Sequence, residues 1–445
     1  MKGKELKNNK ITKSSTLSKL ISNIIGMKWI ILFFLIFLVA QLIQIALQHW
    51  DTQSYIFGGK WFCGNQIYFE FIRPPLPSFL NCVFGANDYS LLLTTALACF
   101  AYLAAIILIY KKYSVSLNQF IFALFAFLFP AILFSSNYGS DLLALAFLML
   151  AFALDKPLKK GFFFALASLS RYNFLVFGLV FLFELRKKPK DIPKFLAPLV
   201  VLWLPWMVYN YLFTGNPFFS IAESSFLNVA QKGVVAPIAL DQLAVILFFL
   251  ALVFLLDFKK KLHCSMNQGG VLSAAMFALS GIKETRFINL LSPVIAVNAA
   301  LFAGKDKKKV LFLVIVFILF FWFSPKPGHA DLIVPQDQYL KDCRVASDDW
   351  VFFYEKGIIA ECIYDISSWK EFVSNGGNLV IYNYKDLNLS EYGGTVIQRD
   401  KYVIIKSDSC APQPKKYISG SLRNYVLKWL KDTNSTIYDY SDWVE

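Results

Sequence analysis

The basic pair Lys159-Lys160 runs into GFFFALASLSRYNFLVFGLVFLFEL, Gly161–Leu185, which is followed at once by Arg186, Lys187 and Lys188. How this stretch is threaded decides the fold. It is long and apolar enough for one membrane crossing, since a helix needs about 20 residues to span a hydrocarbon core of about 30 Å. A single crossing, however, strands one basic cluster outside, whereas Lys and Arg in short loops are held on the cytoplasmic face. A helical hairpin turning near Ser170-Arg171-Tyr172 keeps Lys156, Lys159 and Lys160 on the same side as Arg186, Lys187, Lys188 and Lys190. It also keeps Lys259 to Lys261 and the Lys305 to Lys309 run on that side, so four clusters agree. A turn at membrane depth must have its polar backbone groups satisfied by protein, which puts the hairpin inside a bundle.

Working outward, apolar spans are expected at 29–48, 89–110, 117–136, 139–154, 194–212, 237–257, 268–282, 286–303 and 310–323. With the hairpin this makes about eleven segments, transmembrane or short and re-entrant. The composition agrees: 57% hydrophobic, 17% aromatic and only 17% charged is too apolar for an ordinary soluble enzyme of 445 residues. The net charge of +14 sits in short clusters between apolar runs rather than along one soluble face, which marks topology and argues against nucleic acid as a partner. Residues 1–28 form a basic lead carrying Lys2, Lys4, Lys7, Lys10, Lys13, Lys19 and Lys28. No small-residue cleavage pattern follows Trp29–Gln48, so this first span reads as an uncleaved anchor with its amino end in the cytoplasm.

After Phe323 the composition turns polar. The expected organisation is therefore a transmembrane domain over 29–325, with a long first external loop at 49–88, and an extracytoplasmic α/β domain over 326–445. In that domain strands are expected near Arg344–Ala346 and Ile358–Cys362, helices around Asp349–Glu355 and Ser367–Ser374, and further alternating stretches at Asn378–Tyr382 and Thr395–Lys406. The threading leaves Cys63, Cys82, Cys343, Cys362 and Cys410 outside, where disulfides form. Cys63 and Cys82 bracket part of the first loop, but spacing does not settle the pairing of five cysteines. Asn388 and Asn434 open glycosylation-type sequons on the same domain.

The first external loop holds His49-Trp-Asp51-Thr-Gln-Ser-Tyr55 and Tyr68-Phe-Glu70-Phe-Ile-Arg73-Pro74-Pro75. Asp51, just past the first span, is either a partly desolvated base or the mere end of a helix in water. Arg73 is presented by two stiffening prolines, as a phosphate ligand or as an arginine snorkelling at the headgroups. Lys283-Glu284-Thr285-Arg286 offers two cations between short helices, a phosphate clamp or a cap on a helical hairpin. His49, His263 and His329 form no zinc spacing with the cysteines, and no Walker-type loop is present.

Five motifs follow one another in a recognisable order. They are the Asp after the first span, Arg73-Pro-Pro-Leu, Leu169-Ser-Arg171-Tyr172, Asn210-Tyr-x-x-x-Gly-Asn-Pro217, and Glu284-x-Arg286-Phe with Pro293 downstream. Together, over residues 29 to 325, this order resembles GT-C glycosyltransferases related to the dolichyl-phosphate-mannose protein mannosyltransferases and the lipid A aminoarabinose transferase, glycosyltransferase family 39-like proteins. The resemblance implies transfer of a sugar, a mannose-like hexose, from a polyprenyl- or dolichyl-phosphate carrier in the bilayer to an extracytoplasmic protein, lipid or glycan acceptor. Asp51 would be the general base; Arg73, Lys283 and Arg286 would hold the carrier phosphate; Tyr55, Tyr68 and Glu284 would touch substrate. Arg171 matches the hairpin basic residue and, by the threading, has a structural or lipid-path role short of the outer face. Relatives often carry a second acidic residue next to the first, where this chain has Thr52, which makes Glu70 the candidate second carboxylate. No cofactor is required, although weak divalent help at Asp51 and Glu70 stays open. Two rivals remain at this stage, an envelope glycan polymerase or ligase fed by lipid-linked oligosaccharide, and a multi-span transporter.

Overall fold

The computed structural model describes residues 50–113, 140–230, 265–279 and 333–419, less a few positions among them, and scattered positions within 28–39, 243–250 and 291–298. The spans expected at 117–136 and 310–323 lie outside the described residues, as do the 1–27 lead and most of the span at 237–257. The chain is mostly helical with a small sheet region towards its C-terminus. After the first expected span come α1 (Trp50–Phe62), β1 (Tyr68–Glu70) and α2 (Pro75–Val83). Then follow α3 (Asp88–Tyr113), α4 (Asp141–Ala153), α5 (Pro157–Ser170), a 3-10 stretch at Tyr172–Phe177, α6 (Gly178–Leu185), α7 (Ile192–Thr214), α8 (Phe219–Ala230) and α9 (Ser265–Leu279).

Among the described residues two helices are long and apolar enough to cross a membrane, Tyr89–Lys112 and Pro189–Thr214. Both present large apolar side chains outward. Leu93, Leu97 and Phe100 are exposed on α3, and Val200, Val201, Leu204, Val208 and Leu212 on α7. In water such a face would be costly, at roughly 25 cal/mol for each Å² of apolar surface.

The hairpin is present and turns where its basic flanks require. α5 ends at Ser170; Arg171 is extended, at φ −153° and ψ 115°, and the chain returns through the 3-10 stretch into α6. The two arms are antiparallel neighbours, since the Lys160 ammonium meets Glu184 at 2.6 Å and the Phe164 ring meets Phe181 at 5.3 Å. α7 lies beside α5 in the same direction, pairing Phe195 with Phe164, Trp203 with Ser168 and Trp206 with Tyr172. Gly161 makes the approach feasible, because a Cβ there would sit 1.9 Å from the Phe195 carbonyl oxygen. α3 and α4 also finish together: Lys112 donates to the Phe152 carbonyl at 2.9 Å and pairs with Asp155 at 2.8 Å. The described bundle therefore has one basic end, with Lys112, Lys160 and the Arg186–Lys188 run, and an opposite end holding the hairpin tip.

The C-terminal region is an α/β unit of α10 (Gln338–Asp342), β2 (Val345–Ser347), a 3-10 helix at Trp350–Lys356, β3 (Ala360–Cys362), α11 (Trp369–Ser374), β4 (Asn378–Ile381), β5 (Thr395–Gln398), β6 (Val403–Lys406) and β7 (Tyr417–Ser419). Its sheet runs β3-β2-β4-β6-β5, with β2 parallel to both neighbours and β5-β6 an antiparallel hairpin. The helix expected at Asp349–Glu355 is a 3-10 helix, and the alternating stretch Thr395–Lys406 holds two strands. Strand alternation buries both faces. Ala346, Leu379 and Ile405 pack on Trp369 and Phe372, whereas Val345, Val380 and Ile404 pack towards Trp350 and Phe353. That second face is completed from outside the domain, by Phe57 of α1 and Tyr68 of β1.

Among the described residues two disulfides form, Cys63–Cys82 tying α1 to α2 and Cys343–Cys410 closing the α/β unit, and Cys362 is a buried thiol. One pairing was not visible in the sequence: β7 returns to β1 and lies parallel to it, with Tyr68 opposite Tyr417 and Glu70 opposite Ser419.

Candidate active site

Arg73 is held from several directions. Its backbone N–H closes a tight turn onto the Glu70 carbonyl, Pro74 caps α2 with φ −59°, and Pro75 occupies the first helical turn, where a missing N–H costs nothing. The Arg-Pro-Pro turn is thus a helix start, and its stiffness comes from α2 as well as from the prolines. Nε of Arg73 donates to Glu70 Oε2 at 2.7 Å, with the two side chains 12% and 1% exposed. The guanidinium carbon lies 5.8 Å from the centre of the Tyr55 ring. Tyr172, next to the hairpin tip, donates its hydroxyl to the Arg73 carbonyl at 3.1 Å.

From Tyr55 the contacts continue. Its hydroxyl hydrogen-bonds Ser140 Oγ at 2.9 Å, and the adjoining Asp141 forms a buried ion pair with Arg171. Arg171 leads back to Tyr172, which closes a ring through Arg73, Tyr55, Ser140, Asp141, Arg171 and Tyr172. Four sequence segments meet in it at the end of the bundle opposite the basic one. An ion pair this enclosed depends on hydrogen bonds around it, because desolvation can exceed the attraction of the two charges.

Asp51 lies in the first turn of α1, one turn before Tyr55, and is followed by the buried Thr52, Gln53 and Ser54. Lys283, Glu284 and Arg286 fall outside the described residues. Tyr55 and Tyr68 are each 1% exposed, so both rings serve packing within the fold. Tyr68 stands among Phe57, Tyr354 and Tyr417 and donates its hydroxyl to Glu70 Oε1. Burial first, and then the charge of Glu70, push the Tyr68 hydroxyl well above the usual phenol range and keep its proton in place. Glu70 accordingly has one oxygen occupied by Tyr68 and the other by Arg73. Arg171, read in the sequence as a structural or lipid-path residue, is in contact distance of the same ring as Arg73 through Asp141 and Tyr172.

The Asn210–Pro217 motif shapes the layer behind this ring. Asn210 bridges helices by donating to the Trp206 carbonyl at 2.9 Å and accepting from Ser220 Oγ at 2.5 Å, and Gly215 ends α7 at φ 73°. Trp206 in turn donates to the Tyr172 hydroxyl at 2.9 Å.

Ser140, Asp141 and Trp350 were missed as site residues. Asp141 carried a usable signal, since it is a lone carboxylate opening the otherwise unbroken apolar run Asp141–Ala153. Trp350 carried none that periodicity would reveal. Among the described residues no group of three His, Cys, Asp or Glu side chains is arranged to hold a metal ion. Comparison with known proteins finds no protein-family model, no curated protein and no solved structure that matches the chain.

Proposed function

We propose that the chain is a polytopic membrane glycosyltransferase of the GT-C type, which moves a mannose-like hexose from a polyprenyl-phosphate carrier to an extracytoplasmic acceptor. The observation that carries the reading is the meeting of Arg73, Ser140-Asp141, Arg171-Tyr172 and Tyr55 of α1 at one end of a bundle whose other end is basic. With the basic end in the cytoplasm, Trp206 stands roughly 20 Å along α7 from its start, so the ring lies in the outer half of a hydrocarbon layer of about 30 Å. That is a depth at which a prenyl tail lies among helices while its phosphate reaches Arg73, with Lys283 and Arg286 as the further cations.

In the proposed step Asp51 takes the proton of the acceptor hydroxyl as the oxygen attacks the anomeric carbon. The bond from that carbon to the phosphate oxygen breaks, its electron pair leaves with the prenyl phosphate, and the anomeric centre inverts. Phosphate is a good leaving group, so fixed cations matter more than a proton donor. Glu70, whose oxygens are occupied, orients Arg73 instead of transferring a proton. The α/β unit is extracytoplasmic in this reading, where its disulfides persist.

The test is transfer from a panel of radiolabelled polyprenyl-phosphate sugars by the purified chain in a bilayer. One sugar should leave its lipid, and Asp51→Asn should slow that transfer by about 10² to 10⁴ while leaving the fold intact. Undiminished transfer by Asp51→Asn would remove the mechanism.

A further inference from the structure

The C-terminal α/β unit reaches the Arg73 side chain through three hydrogen bonds in line. The Trp350 indole N–H donates to the Tyr68 hydroxyl at 3.1 Å, Tyr68 donates to Glu70 Oε1, and Glu70 Oε2 accepts from Arg73 Nε at 2.7 Å. We infer that Trp350 is a positioning residue for Arg73, acting through Tyr68 and Glu70, and that the α/β unit is thereby a working part of the site. The inference deepens the proposed function, and rests on it for the role of Arg73 as carrier-phosphate ligand.

The direction of each hydrogen bond follows from chemistry. An indole N–H can only donate, so it occupies the acceptor side of the phenol oxygen and turns the phenol proton towards Glu70. The proton so directed satisfies the carboxylate oxygen that Arg73 Nε does not use, so both oxygens of a side chain only 1% exposed are hydrogen-bonded. The two bonds that run head to tail, from Trp350 to Tyr68 and from Tyr68 to Glu70, strengthen one another. The backbone enforces the same arrangement. Side chains alternate along a strand, so Tyr68 and Glu70 share the face turned to Trp350, while Phe69 and Phe71 turn to Trp61 and Trp206 in the bundle. β7 fixes that face by pairing with all three residues of β1. Tyr417 anchors β7 in turn, its hydroxyl accepting from the Cys362 N–H at 3.0 Å, and Trp350 itself is 6% exposed.

The experiment uses the full chain in lipid nanodiscs and reads the rate at which phenylglyoxal modifies individual arginines, by mass spectrometry. Trp350→Phe keeps the ring and loses the donor; Tyr68→Phe loses one hydroxyl and guards against a Trp350 variant that fails to fold. Tyr68→Phe should speed modification of Arg73 by about tenfold, the size of effect expected on losing a hydrogen bond to a charged group, and Trp350→Phe by a few-fold, on losing one to a neutral hydroxyl. The double variant should be no faster than Tyr68→Phe alone, with Arg171 and Arg344 unchanged throughout. In the transfer assay the same variants should raise the KM for the lipid donor and leave that for the acceptor alone. An unaltered Arg73 rate in both variants, or an equal rise at Arg171 and Arg344, overturns the inference. Shielding of Arg73 by a polyprenyl phosphate in the unaltered chain tests the proposed function separately, since the labelling readout needs no activity.

Discussion

Glu70 and Asp141 are both buried carboxylates facing an arginine, yet only the first was singled out in the sequence. Glu70 stands three residues before Arg73, and that spacing brings them together across one turn, so the pair could be read locally. Asp141 and Arg171 are joined only by the packing of α4 against the hairpin tip, which spacing does not encode. Removing one partner of such a pair leaves a buried charge alone. Asp141→Ala should therefore destabilise the folded chain by roughly 3–5 kcal/mol, and Asp141→Ala with Arg171→Met should recover much of it, as read by thermal unfolding in detergent. A different carboxyl governs the response to pH. Burial first, and then the charge of Asp348, push Asp349 up to about 7. Its unfolded value is near 3.9, so the folded chain binds this proton more tightly. The stability it contributes is complete below about pH 4 and is lost as pH rises through about 7. The unfolding midpoint of the α/β unit, followed in the full chain by tryptophan fluorescence, should fall from pH 5 to pH 8, and Asp349→Asn should flatten that fall.

The hairpin was legible as an element because charge and length disagreed: enough apolar residues for one crossing, with basic clusters at both ends. Its tight seat against α7 depends on Gly161, and the contact that makes glycine necessary is with a backbone oxygen that cannot step aside. Gly161→Ala should force the helices apart and cost about 1–3 kcal/mol, visible as a lowered melting temperature without loss of helical circular dichroism. The first loop was harder to read. It contains two helices and a strand, but β1 and β7 have three residues each, too few for alternation to register, and each becomes a strand only because the other lies alongside. The hairpin β5-β6 was merged into one stretch for a related reason, since both strands alternate and the turn between them, Arg399–Tyr402, carries no glycine or proline to mark it.

At the scale of the whole molecule, a small α/β region towards the C-terminus was readable in the sequence, whereas its dependence on the first loop was not. The α/β unit borrows Phe57 and Tyr68 for its core, and the first loop borrows β7 for its only strand partner among the described residues. Cys343–Cys410 holds β2 and the chain after β6 in register for this exchange. Replacing both cysteines with serine should lower stability by roughly 2–5 kcal/mol and, through β7 and Trp350, reduce the proposed sugar transfer as well, which a parallel melt and transfer assay would show. The β1–β7 pairing also has a temporal meaning. About 350 residues separate Tyr68 from Tyr417, so a ribosome adding roughly 5–20 residues per second needs on the order of 20–70 s to make the second strand after the first. Throughout that interval β1 waits with an open backbone edge, and a chain broken off before residue 417 would carry that edge for good.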